Sequence, residues 1–505
     1  MRAADHLPER FNAAEWFVGR HVAEGHAGRV AIVTDDGETT YGELDSSVRR
    51  FAGALARAGI VRGERVALLL PDTPLLSIAF WGAIAAGAVA TPLNTLLKPE
   101  KRDAILRDAD PRLLLFDREM AGDFPPDRPD LRWDADEAAE RIAEGEALPY
   151  APAHRDDFAF LLYSSGTTGE PKGVVHRQRD MWICARTYGE NILSTVPADR
   201  SFSVAKLFFA YGLGNAQYFP FDAGASAVLF PGRPTPEAVF EQVRRHRPTL
   251  FFGVPTAYAQ MLAAIERGAG ADFESVRLCA SAGESLPATI FERWRGATGL
   301  EILDGIGSTE ICHIFTSNRP GAVRPGSSGL PVPGYALRVV DEAGADAADG
   351  QIGDLLVSGD STMALYWNKP EATKRTLEGD WIRTGDKYRR DRDGFFWHAG
   401  RSDDMLKVSG IWVSPVEVES ALVGHPEVLE CAVVGREDSD GLTKAHAFVA
   451  LRPGAAPGES LVETLRVFAR ERLEAHKCPR WFTFVPELPK TATGKVQRFL
   501  LRKSL

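Results

Sequence analysis

Small hydroxylated residues and glycines crowd one stretch of the chain, LLYSSGTTGEPKGVVH, residues 161–176. Ser164, Ser165, Thr167 and Thr168 bring hydroxyl donors, and Lys172 brings a positive charge. Gly166, Gly169 and Gly173 let the backbone approach a ligand closely. Exposed amides and hydroxyls beside a cation suit the oxygens of a polyphosphate. The spacing is not that of a Walker A loop, because Gly173 rather than Ser or Thr follows Lys172. The plain alternative is a flexible surface linker. Against it, FAFLLY (158–163) and GVVH (173–176) read as buried strands on either side, and a loop held between two strands is positioned.

Other stretches could join that chemistry. DGIGSTE, residues 304–310, offers Thr309 and Glu310 after two glycines. One carboxylate beside a phosphate loop is a reasonable Mg²⁺ ligand, since magnesium takes a few carboxylates together with phosphate oxygens. Read alone, the same residues are better explained as a helix start capped by Ser308. Asp386 follows a Thr-Gly turn in WIRTGDKY, and Gly-Asp is common in turns. SAGESL, 281–286, could line a nucleotide or simply turn a strand into a helix. LPKTATGKVQR, 488–498, sets Lys495 after a Thr-Gly, and a strand-like WFTFV upstream argues for order there.

These residues need elements to carry them. SSVRRFAGALARAG (46–59) reads as a helix stopped by Gly59, and RVALLL (65–70), RLLLF (112–116) and TLFFGVP (249–255) read as buried strands. Their alternation predicts α/β layers. From about residue 325, Gly, Pro and β-formers dominate and predict a β-rich subdomain, with AGADAADG (343–350) as a hairpin loop. The polar stretch GRSDDMLKVSG, 400–410, marks a domain boundary. A mixed unit of domain size follows, with a helix starting near Pro415.

Composition narrows the class. A chain of 505 residues with 44% hydrophobic content is a multi-domain globular protein, and its net charge of −10 argues against nucleic acid as a partner. Cys184, Cys279, Cys312, Cys431 and Cys478 are scattered without zinc or C-x-x-C spacing, as in reduced cytoplasmic proteins. The first residues lack an apolar core of signal-peptide length. IAFWGAIAAGAVATPL, 78–93, is too short and Gly/Ala-rich for a membrane span and reads as a core helix followed by a strand.

Taken together, YSSGTTGEPKG, GSTE, TGD, GRSDDMLKVSG and PKTATGK resemble the acyl-adenylate-forming superfamily of acyl-CoA synthetases, nonribosomal adenylation domains and luciferases. They stand in that family's order along essentially the whole chain. The resemblance implies an α/β N-terminal adenylation domain over residues 1–401, including the β-rich subdomain. A mobile α+β C-terminal domain, 402–505, would turn about a hinge at Asp403. ATP, Mg²⁺ and coenzyme A would be used. By the same resemblance, Ser164, Ser165, Gly166, Thr167, Thr168, Gly169 and Lys172 would hold the β- and γ-phosphates. Thr309 would touch the α-phosphate and Glu310 would bind Mg²⁺. Ser281, Ala282, Gly283 and Glu284, with Asp304, Gly305, Ile306 and Gly307, would line the adenine. Asp386 and Arg401 would hold the ribose. Lys495 would bridge the acid and the α-phosphate during adenylation, and a rotated domain would bring Ser409 and Gly410 to a pantetheine channel. Many members stack an aromatic ring on adenine where this chain has Ile306.

Within that superfamily the chain looks most like the benzoate-CoA ligases, through KLFFAYGLGNA (206–216) and DGIGSTEICHIFTSN (304–318). Phe209, Ala210, Tyr211 and Gly212 would form one wall of an aromatic-acid pocket. Gly305, Ile306, Gly307, His313 and Ile314 would form the other. The rival expectations are an enzyme that loads an aryl acid on a carrier-protein thiol, and a CoA ligase for cycloalkane or heteroaromatic acids. A homodimer, and a lysine acetyltransferase and deacetylase acting on Lys495, complete the expected partners; a membrane is not among them.

Overall fold

The computed structural model of the protein describes residues 6–121, 131–165, 171–270, 272–402, 404–408, 411–439, 442–490 and 496–505. Three sheets fill the first 400 residues. One has seven strands in the order Leu365–Tyr366, Pro171–Arg177, Phe158–Ser165, Val89–Pro92, Arg65–Leu69, Leu113–Phe116 and Leu131–Asp134. Its middle is parallel, and its apolar runs are buried on both faces, as parallel sheets require. The Gly/Ala-rich stretch forms the buried helix Pro74–Ala85 followed by the strand Val89–Pro92, as expected.

The second sheet has nine strands, with Leu278–Ser281 parallel to both Leu250–Gly253 and Ile302–Gly307. Ile302–Gly307 then turns back antiparallel into Ile314–Ser317. The third sheet is the β-rich subdomain, in which Ala336–Val340, Gly353–Ser358, Trp381–Arg390 and Phe396–Arg401 pair antiparallel. AGADAADG lies in the loop between the first two of these strands.

One expected helix starts earlier than its apolar periodicity indicates. It spans Tyr41–Arg57, because Thr40 and Glu43 form a capping box: the Glu43 amide donates to Thr40 Oγ1 at 3.2 Å and the Thr40 amide to Glu43 Oε2 at 2.8 Å. Gly59, at φ 78°, ends it as expected.

After residue 401 a smaller unit packs the helices Pro415–Val423 and Glu459–Arg470 with the sheet of Val428–Glu437, Thr443–Leu451 and Trp481–Val485. Its first helix begins at Pro415, behind a Ser414 hydroxyl that accepts the Glu417 amide. All five cysteines are free, four of them buried. Among the described residues no helix is long and apolar enough to cross a membrane.

Candidate active site

The strands Phe158–Ser165 and Pro171–Arg177 form an antiparallel hairpin that sets Ser164 opposite Lys172. The second strand also pairs with Leu365–Tyr366, Val174 facing Tyr366. Both neighbours follow from the apolar runs FAFLLY and GVV, which bury one edge each. Lys172 Nζ lies 5.0 Å from the centre of the Tyr366 ring. The Tyr366 hydroxyl donates to Glu310 Oε1 at 2.7 Å. Burial, and then the Glu310 charge, push the Tyr366 phenol well above its ordinary range, so it stays a donor.

Thr309 and Glu310 stand on a short 3₁₀ turn, Thr309–Ile311, where a capped helix start was the plainer expectation; Ser308 makes no side-chain cap. The turn is tied from outside instead. His176 Nε2 donates to the Thr309 carbonyl at 2.7 Å, while His176 Nδ1 sits 2.9 Å from Asp180 Oδ2. The Met363 amide donates to the Glu310 carbonyl at 2.8 Å. Main chain and carboxylate of Glu310 are therefore both held by residues outside its own turn.

The residues expected around a nucleotide fall at strand ends. Ser281 closes Leu278–Ser281, and Gly283 follows at φ 95°. Thr256 Oγ1 donates to Glu284 Oε2 at 3.2 Å. Asp304 is 3% exposed, accepts the Leu286 amide at 3.4 Å, and has its carboxyl pushed well up by burial. Ile306 is half-buried. Gly305 and Gly307 answer to the sheet as well as to any ligand. A Cβ on either would come within 2.6 Å of a carbonyl oxygen of the returning chain, that of Thr316 or His313. Asp386 and Arg401 face each other across two strands, with Arg401 Nη1 donating to Asp386 Oδ1 at 2.9 Å.

Phe209, Ala210, Tyr211 and Gly212 mark the start of the helix Ala210–Leu213. His313 reaches this helix from the other side, its Nε2 3.2 Å from the Tyr211 carbonyl, with the two rings 5.5 Å apart. Phe219, Tyr188 and Tyr218 also pack their rings around His313. Burial lowers the His313 pKa to about 3, so the imidazole is neutral, and its Nδ1 has no hydrogen-bond partner among the described residues. Ile314 is buried beside it. Cys312 holds φ 75°, a costly geometry for a side-chain-bearing residue, and this turns the chain between Glu310 and His313. Gly212 is required by packing, since a Cβ there would run into the Lys206 and Ala205 carbonyls.

Two further features escaped the reading of motifs. His176 and Asp180 are the first, and the only signal for them was their place just past GVV. Lys206 is the second: its ammonium donates to the Phe230 and Gly232 carbonyls and straps the segment before Phe209. Buried Asp72 accepts the Leu207 amide at 3.2 Å next to it. The smaller unit also comes near Glu284, just past the strand Leu278–Ser281. Arg498 bonds Glu419 at 2.7 Å and lies within the field of Glu284. Gly166, Thr167, Thr168, Gly169, Asp403, Ser409, Gly410 and Lys495, with the side chain of Ser165, lie outside the described residues. A separate cluster, His21, Glu24 and His26, spreads its donor atoms up to 4.8 Å apart, with Arg20 3.9 Å from Glu24, and is assigned no ion.

The family model "AMP-binding enzyme" matches residues 19–367, and "AMP-binding enzyme C-terminal domain" matches 417–495. The chain belongs to the AMP-binding enzyme family, the acyl-adenylate-forming superfamily. It is 47% identical to a benzoate–CoA ligase of Thauera aromatica, over 99% of this chain and 97% of that one. The structure of the anthranilate CoA ligase AuaEII in complex with anthranoyl-AMP superposes with a TM-score of 0.95 at 43% identity, covering 100% of this chain and 99% of that one. A benzoate CoA ligase from Burkholderia xenovorans gives a TM-score of 0.89 at 46% identity, covering 97% and 100%.

Proposed function

We propose that the protein is an ATP-dependent, AMP-forming aromatic acid:CoA ligase whose acid is benzoate or a substituted benzoate. The observation that carries this reading is Glu310, held at 2.7 Å by Tyr366 beside Lys172, at the end of the 158–177 hairpin where Lys172 faces Ser164. The acid would lie against Tyr211 and His313, where a neutral histidine among aromatic rings suits a flat apolar ring.

In the first half-reaction a carboxylate oxygen of the acid attacks the α-phosphorus of ATP. The bond to pyrophosphate breaks and acyl-AMP forms. In the second, the thiol of coenzyme A attacks the acyl carbon, loses its proton, and AMP departs. Two anions must meet in the first step, so cationic and hydrogen-bonding groups have to be in place before reaction. Ser164 and Lys172, with Ser165 to Gly169, would hold the β- and γ-phosphates, and Thr309 the α-phosphate. Asp386 would take the ribose hydroxyls, its carboxylate oriented by Arg401. Lys495 would screen the attacking carboxylate.

Glu310 fits a divalent cation. It is one half-buried carboxylate beside a phosphate-binding hairpin, which matches the few protein ligands magnesium takes when phosphate is present. Bound there, Mg²⁺ would offset phosphate charge. The boundary near 401 and the pivot at Asp403 would let the smaller unit withdraw Lys495 and present Ser409 and Gly410 for thioester formation. Acetylation of Lys495 would block only the first step by removing its charge. A cytoplasmic enzyme is consistent with the free cysteines, and a homodimer is open to a sedimentation experiment.

The test is acid-dependent release of AMP with free coenzyme A, across benzoates, cyclohexanecarboxylate and short fatty acids. Benzoates should lead in kcat/KM. Acyl-AMP formation with no use of coenzyme A would move the reading to a carrier-loading enzyme.

A further inference from the structure

We propose that Tyr366 is a positioning residue for adenylation: its hydroxyl fixes Glu310 with one carboxylate oxygen left for a divalent cation, and its ring parks Lys172 until polyphosphate draws the lysine off. The proposal deepens the ATP-dependent reading and rests on it.

The geometry is specific. The backbone of the Thr309–Glu310 pair is already fixed by His176 at the Thr309 carbonyl and Met363 at the Glu310 carbonyl. What remains free is rotation of the Glu310 side chain, and the 2.7 Å bond from Tyr366 to Oε1 removes it. A hydrogen bond to a charged acceptor is among the stronger kinds, and orienting a ligand through its second oxygen is how outer partners set a metal site.

Tyr366 is itself anchored. Its strand pairs with the phosphate hairpin, Tyr366 opposite Val174, and its amide donates to Thr373 Oγ1 at 3.0 Å. The hairpin that would hold polyphosphate therefore also carries the residue that aims the cation ligand. Lys172 leaves the same hairpin and sits over the ring at 5.0 Å. An ammonium held on a ring face is fixed in place but readily exchanged for an anionic oxygen, so the ring keeps it near without neutralising it.

Tyr366→Phe keeps the ring and removes the hydroxyl; Tyr366→Leu removes both. Binding of a fluorescent, non-hydrolysable ATP analogue is titrated with and without Mg²⁺. For Tyr366→Phe, the Mg²⁺ concentration at half-saturation should rise about tenfold, the low end for loss of an outer-shell partner. Its Mg²⁺-free binding should stay within about twofold of the starting protein, because only the cation ligand is disturbed. Tyr366→Leu should also weaken Mg²⁺-free binding, because Lys172 is no longer parked. Glu310→Gln should produce the Mg²⁺ defect alone, and adding Tyr366→Phe to it should change nothing further. This cycle separates positioning from general loss of structure, and equal melting temperatures check folding. Unchanged Mg²⁺ dependence in Tyr366→Phe, or additive defects in the double variant, would overturn the proposal and leave the ATP reading intact. Failure of the unsubstituted protein to bind the analogue would overturn both.

Discussion

His176 and Asp180 stand 2.9 Å apart with no exposed side-chain surface, and the far nitrogen of His176 holds the Thr309 carbonyl at 2.7 Å. The pair ties the 158–177 hairpin to the Thr309–Glu310 turn. His176 also lies flat against Phe160 at 5.0 Å, so the ring has little room to move.

Breaking this pair should damage both stability and the first half-reaction. His176→Ala leaves Asp180 with the Arg177 amide alone on Oδ2 and frees the Thr309 carbonyl, a loss of buried hydrogen-bond partners that costs about 1–3 kcal/mol. Urea unfolding measures that loss. Among molecules still folded, acyl-AMP formation from benzoate and ATP should fall by roughly 10- to 100-fold, as for misplacement of a catalytic group. Thioester formation from pre-made benzoyl-AMP should fall less, and equal losses would count against the assignment.

Asp386→Asn should act on nucleotide binding. Arg401 would lose a charged acceptor at 2.9 Å, and a ribose held by Asp386 would lose one as well. The KM for ATP should rise by about tenfold, the worth of one charge-assisted hydrogen bond, with the KM for benzoate little changed. Steady-state kinetics with each substrate varied in turn decides it.

Asp72 gives a pH dependence with a definite sign. Burial lifts its carboxyl to about 6, against an opposing pull from the Lys206 charge. The folded state thus binds this proton more tightly than the unfolded chain. The associated stability is full below the ordinary value of 3.8 and is lost as pH rises through about 6. Asp72→Asn should match the unsubstituted protein near pH 4 and exceed it at pH 7.5 by up to about 3 kcal/mol, at 1.4 kcal/mol for each pH unit. Unfolding midpoints across that range show the divergence; parallel curves would rule it out.

Lys495→Ala should separate the half-reactions. Acyl-AMP formation should collapse by about 100-fold or more, as when one preorganised stabilising group is removed. Conversion of synthetic benzoyl-AMP to the thioester should persist. A rapid-quench assay of each step reads the difference.

Much of this site was legible because its motifs are runs of residues whose types serve backbone and ligand together. YSSGTTGEPKG, bounded by apolar runs, marked the hairpin that sets Ser164 against Lys172. The helix ahead of RVALLL was found by periodicity, but its start was set by a capping box that periodicity does not register. Gly305 and Gly307 read as room for a ligand; close pairing with the returning strand requires them as well. Tyr366, His176, Asp180 and Lys206 were missed for a common reason. Tyr366 and His176 act through partners distant in sequence, 56 residues separating Tyr366 from Glu310 and 133 separating His176 from Thr309, while Asp180 matters only through His176, four residues before it. No local spacing encodes such contacts.

The central claim is that this site joins aromatic acids to coenzyme A through an adenylate. Its most direct measurement follows benzoate, ATP and coenzyme A together, quantifying AMP, pyrophosphate and benzoyl-CoA in one reaction. Equal amounts of all three products, dependent on benzoate and abolished by omitting ATP, are predicted. ADP in place of AMP, or AMP formed with no benzoyl-CoA from any aryl acid supplied, would contradict the account.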